Sequence, residues 1–167
     1  MAFPVPKDVR ADRDFEIIKG LDDLIRTPAL IADPTQPIVS GEWMKYDAQG
    51  RAAKLTAADT VAQPALGARL SWTLYAPGDS NLGQSDVLAT KQADLLSGLF
   101  QAKSRYFDPA AAYQPGWLLV PVFDATNNRG VLSAVDPGAA TVRQLAAAVA
   151  EVVQPPTGGR LWFETRK

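Results

Sequence analysis

The chain contains no cysteine and no histidine. The first absence removes a disulfide framework, a thiolate nucleophile and any cysteine-ligated zinc. The second removes Ser-His-Asp and Cys-His triads, the common imidazole metal sites and the side chain that titrates near neutral pH. Surplus charge is missing too: 17 basic residues stand against 18 acidic ones, a formal net charge of −1. Such a balance gives no electrostatic pull toward nucleic acid or an anionic membrane. No apolar run approaches the ~20 residues of a spanning helix. The opening "MAFPVPKDVR" holds two prolines and no apolar signal core. No cofactor, nucleic acid or membrane partner is expected, and the chain reads as a soluble protein made, and kept or assembled, in the cytoplasm.

What is present suits one domain. There are 167 residues, 47% of them hydrophobic. At that length folding buries roughly 70% of the unfolded chain's surface, so covalent staples are not required.

The first 37 residues read as an N-terminal arm and residues 38–167 as a β domain. Pro4 and Pro6 favour extended backbone over helix. The stretch "FEIIKGLDDLIRTPALI", 15–31, admits two readings: a helix with Phe15, Ile18, Leu21 and Ile25 on one face, or an extended segment that seeks a partner. Gly20 weakens the helix and Pro28 ends it. "ADPTQP", 32–37, is a connector.

Strand signals follow. "PIVSGEWMKYD" carries strand-forming residues, with Gly41 as a bend or bulge. "DAQG", 47–50, is a turn: Asp47 can accept from backbone two residues on, and Gly50 can take the left-handed conformation. "RAAKL" returns. "ARLSWTLYAP", 68–77, alternates, with Leu70, Trp72 and Leu74 on one face and Arg69, Ser71, Thr73 and Tyr75 on the other. Residues 86–108 admit helix or strand. Pro115-Gly116 turns into the apolar run "WLLVPVFDA", 117–125, and "VLSAV", 131–135, returns after "TNNRG". "TVRQLAAAVAEVV", 141–153, has both the alanine content of a helix and the alternation of a strand. "RLWFETR", 160–166, closes a last hairpin. Short strands between turns predict a small, mainly β sandwich or barrel with one or two short helices.

Catalytic patterns are scarce. Asp22 and Asp23 are adjacent, so they point to different faces and do not pair. "DSNLGQSD", 79–86, lacks EF-hand spacing and its bidentate glutamate. Ser85, Ser97, Ser104 and Ser133 have no histidine to activate them, and nothing pairs them with Lys91 or Lys103. Tryptophans 43, 72, 117 and 162 each fall in a candidate strand, where the ordinary role is core packing and the sharper one an interface. Glu42 and Glu164, beside tryptophans, read as outward strand positions. The balance favours a binding or structural role over an enzyme.

Two stretches carry a family likeness. Gly41, Glu42, Trp43, Asp47 and Gly50 resemble a "GEW-x-x-x-D-x-x-G" opening hairpin, and Tyr106 to Leu119 is similar to an "FD-x-x-x-x-Y-x-x-G-x-x-L" segment. With the small-residue strand "AAAVAEVVQPP" and the closing "GGRLWFET", the chain resembles bacteriophage capsid decoration (cement) proteins of the β-tulip type over roughly residues 38–166. That resemblance implies a homo-oligomer, trimer or dimer, on the outer surface of a phage head. It would bind the major capsid protein at local symmetry axes and stabilise the shell of the virion, with assembly in the host cytoplasm. The arm would reach across neighbouring capsid subunits. The candidate contact residues are Phe3, Val5, Phe15, Ile17, Ile18, Leu21, Leu24 and Ile25 of the arm, and Trp43. Two other readings stand beside it: a phage tail or baseplate adaptor, and a hydrolase that uses two carboxylates about 5–10 Å apart in a cleft.

Overall fold

A computed structural model describes residues 14–20, 24–36, 38–72 and 92–166. The protein is mainly β. Its strands are β1 (Phe15–Lys19), β2 (Ile25–Leu30), β3 (Trp43–Tyr46), β4 (Ala52–Lys54), β5 (Arg69–Trp72), β6 (Gln92–Ser97), β7 (Gln101–Ser104), β8 (Leu118–Asp124), β9 (Arg129–Val135), β10 (Ala150–Thr157) and β11 (Arg160–Thr165). One short helix, α1 (Val142–Ala147), precedes β10.

The strands form two antiparallel sheets. The six-stranded sheet has the order β1-β7-β11-β10-β8-β9 and the five-stranded sheet the order β2-β6-β5-β3-β4. Both curl. In the five-stranded sheet a bridge from Ile31 to Ala52 joins the end of β2 to the opposite edge strand, β4. In the six-stranded sheet Phe107, just past β7, bridges Leu132 of β9. Each sheet is therefore drawn toward closure, which protects edge groups that would otherwise seek another chain.

Three apolar layers result. The largest lies between the sheets, where Trp43, Leu70 and Leu96 of one meet Leu119, Leu132, Leu161 and Phe163 of the other. The Trp43 and Phe163 rings sit 6.4 Å apart, tilted by 52°. A second layer fills the curl of the five-stranded sheet, with Met44, Leu95, Ile31 and Ile38. A third, with Tyr106, Val120, Val122 and Val131, covers the other face of β8 and β9.

Several local signals act as their chemistry predicts. Asp47 Oδ1 accepts from Gln49 N at 2.9 Å and Arg51 N at 2.8 Å, and Gly50 sits at φ 73°, which closes the β3–β4 turn. Gly116 follows Pro115 at φ 82°, the left-handed position of a type II turn. Residues 141–153 divide. Thr141 caps α1: its hydroxyl accepts from Gln144 N at 3.2 Å, while the Gln144 side chain accepts from Thr141 N at 2.8 Å. This capping box starts a helix, and the alternating half becomes β10.

Other expectations are corrected. Residues 15–31 form no shared helical face: Phe15 and Ile25 stand on strands of different sheets. Where it is described, the segment read as an arm supplies an edge strand to each sheet, β1 against β7 and β2 against β6. Pro28 stands on the edge strand β2, where its missing N–H is tolerated. The second face of β5 is mixed: Arg69 is exposed. Ser71 is buried, and its hydroxyl donates to Val39 O at 2.7 Å.

Candidate functional site

The expected contact residues separate by accessibility. Phe3, Val5 and Leu21 lie outside the described residues. Phe15 and Trp43 belong to the core between the sheets, so neither offers a surface to a partner. Both are held by glycine. Gly41, at φ 92°, lies where a Cβ would meet Phe15 at 2.5 Å, and a Cβ on Gly130 of β9 would overlap the Trp43 carbonyl. Ile17 and Leu24 are partly buried against the same core, and Ile18 is half-buried. Among the described residues of this group Ile25 alone projects freely, at 60% exposure, and Leu30 at the other end of β2 matches it at 55%.

Glu42 was expected to face outward. It is instead fully buried, at 0% exposure. Lys54 Nζ lies 3.0 Å from its Oε1, and Oε2 accepts from Val39 N at 3.2 Å. The lysine contact is ionic in character, since Oε1 has no well-aligned hydrogen bond. Lys54 also donates to Asn128 O at 2.7 Å, so the pair ties β4 to the β8–β9 turn. Burial pushes the Glu42 carboxyl above its ordinary pKa, against the opposing pull of Lys54 and, more weakly, Arg129.

The same region holds Tyr106. The Arg129 guanidinium lies 4.7 Å from the centre of its ring, and its hydroxyl donates to Asp14 Oδ2 at 3.3 Å. Burial first, and Asp14 second, push the Tyr106 phenol well above its ordinary pKa. Phe107 meets Tyr113 edge to face at 5.6 Å, and the Tyr113 hydroxyl donates to Asp108 O at 2.8 Å. Thus the "GEW" hairpin and the "YFDP…YQPG" stretch, distant in sequence, share apolar clusters: Val39 packs with Tyr106, and Phe107 and Tyr113 pack against the core that holds Trp43.

Two surface hollows carry charge of a single sign. One, of about 330 Å³, is lined by Asp59, Asp108 and Asp124. Each carboxylate is engaged. Asp59 Oδ2 meets Lys45 Nζ at 2.6 Å, Asp108 Oδ2 accepts from the Ser133 hydroxyl at 3.1 Å, and Asp124 Oδ1 accepts from Thr126 N at 2.9 Å. Among the described residues no group of three acidic side chains is placed to hold a metal ion. The other hollow, of about 200 Å³, lies between β5, β6 and the end of α1 and is edged by Arg69 and Arg166.

Two of the candidate serines are engaged: the Ser133 hydroxyl donates to Asp108, and Ser104 supports its own loop. Ser104 Oγ accepts from Tyr106 N at 2.9 Å, and Lys103 Nζ sits 4.8 Å from the centre of the Trp162 ring. Ser85, Lys91, Asp22, Asp23 and the 79–86 loop lie outside the described residues. Sequence reasoning missed Lys54, Arg69 and Arg166, because no local pattern marks which charged side chains the packing of distant segments will bury or gather.

Comparison of the chain with protein-family models, curated proteins and solved structures found no match.

Proposed function

We propose that the protein is a capsid decoration protein of the β-tulip type, an oligomer bound to the outer surface of a phage head. The observation that supports this reading is the meeting of the two stretches that carry the family likeness. Gly41 seats Phe15, Glu42 is the buried anion, Trp43 fills the inter-sheet core, and Tyr106 and Tyr113 complete the adjoining wall. These residues build the scaffold. The binding surface is then to be sought in side chains the scaffold exposes, among them Ile25 and Leu30 on the edge strand. A rigid body repeated on a symmetric shell binds with the added strength of multivalency.

The test is co-sedimentation with heads of the phage that encodes the chain, stripped of loosely held proteins. Deleting 1–31 would remove β1 and β2, so the useful comparisons are a deletion of residues 1–13 and the double substitution I25K/L30K. Saturable pelleting of the full chain, weakened by either change, supports the reading. A full chain that never pellets with heads sinks it and favours a tail or baseplate component.

A further inference from the structure

The 200 Å³ hollow has a distinctive chemistry. It sits above the buried core side chains Trp43, Leu96 and Phe100, and none of the described residues lining it is acidic. Arg69 and Arg166 stand exposed at its edge. Arg69 Nη1 donates to Ala68 O at 3.1 Å, and more weakly to Gly67 O at 3.5 Å, which leaves its other N–H groups free to donate outward. Arg166 Nη1 is 3.6 Å from Glu151 Oε1, with both side chains nearly half exposed. A water-screened pair of that kind is weak and gives way readily.

The surface continues onto α1. Val142 is 84% and Leu145 50% exposed, and between them Arg143 is exposed, with its Nε donating to Pro64 O at 3.1 Å. Leu66, next to the lining residue Gly67, is 48% exposed. Three arginines from separate segments therefore accompany a set of uncovered apolar side chains.

We propose that this hollow and the outer face of α1 dock an acidic segment of the capsid subunit, one whose carboxylates are flanked by apolar residues. The proposal rests on the decoration reading and names the partner surface within it. Charge complementarity selects the occupant. Guanidinium groups match carboxylates in a two-pronged geometry, while Val142, Leu145 and Leu66 supply the apolar contact that interface centres favour.

The experiment measures binding to stripped heads at several salt concentrations for the wild-type chain, R69E/R166E, V142K/L145K and a control, T157E, at the exposed β10–β11 turn, the opposite end of that hairpin from Arg166. Wild type and T157E should bind alike and weaken with salt, and R69E/R166E should lose at least tenfold in affinity with an unchanged circular dichroism spectrum. If the charge reversal disturbs folding, R69Q/R166Q replaces it. Equal binding by wild type and R69E/R166E overturns the proposal and leaves the decoration reading standing. Failure of wild type to bind overturns both. If R69E/R166E instead lowers the protein's own oligomeric mass, the hollow holds a second copy, and the proposal is wrong.

Discussion

Lys54 is the sole cation within ion-pair distance of Glu42 among the described residues, and it lies 3.0 Å from a carboxylate that water does not reach. The two partners are not equivalent. Lys54 keeps the Asn128 carbonyl and some exposure, whereas Glu42 keeps only the Val39 amide.

Lys54→Met should therefore cost far more than Glu42→Gln. A buried carboxylate that loses its partner can take a proton instead, at about 1.4 kcal/mol per pH unit above its ordinary value. From an ordinary pKa of 4.5, that limits the cost of K54M to about 3 kcal/mol at pH 7. The folded carboxyl holds its proton more tightly than the unfolded one. Stability therefore falls as pH rises from about 4.5 through the raised folded value. The K54M penalty should shrink as pH is lowered toward 4.5, E42Q should stay within about 1 kcal/mol of wild type, and E42Q/K54M should lack the pH dependence. Urea midpoints across pH 4.5–8 check this.

Gly130→Ala should destabilise by about 1–3 kcal/mol. Its Cβ would overlap the Trp43 carbonyl and stand 3.0 Å from Leu55 Cδ1, so β9 and β3 must part. Gly130 has no left-handed backbone to explain the cost, unlike Gly50, whose surroundings are open. A thermal midpoint unchanged in G130A would mean that the two strands do not approach this closely.

Thr141→Ala should lose about 1 kcal/mol, the usual value of an N-cap. Gln144→Ala should lose more, because Gln144 Nε2 also donates to Val61 O at 2.9 Å and pins the 56–68 loop. The double variant should lose less than the sum, since the two residues share one capping box. Denaturant titration of the three variants measures the coupling.

Alkaline titration should find two phenols that resist ionisation. Burial raises Tyr106 and Tyr113 far above the ordinary 10.0. Each holds its proton more tightly when folded, so stability declines as pH climbs past 10. Absorbance at the phenolate band should show these two ionising together with unfolding, and Y106F and Y113F should each remove one equivalent from that late step. If either titrates with the early phenols, its burial is wrong.

The hairpins were legible where the signal is local. Asp47 and Gly50 shape one turn and Pro115-Gly116 another through their own backbone preferences, whereas residues 141–153 read equally as helix or strand until the Thr141–Gln144 capping box is seen to start α1. The mainly β class follows from the same short-range chemistry. The candidate surface was less legible. Of the residues expected at a contact, Ile25 is exposed, while Phe15 and Trp43 are core. A large apolar side chain reads alike in either place.

What tertiary structure alone decided is which faces are covered and which edges are joined. Ile31 reaching Ala52, Phe107 reaching Leu132, and Trp43 crossing Gly130 are contacts between distant segments, so no window of sequence contains them. They bury Glu42, which reads as an outward strand position, and Ser71, which shares a face with exposed Arg69, and leave Val142, Leu145 and the arginines around them outside. Strand period and turn chemistry are set by a residue and its near neighbours. Burial is set by the other sheet, and so the residues that matter for recognition emerge only once both sheets are in place.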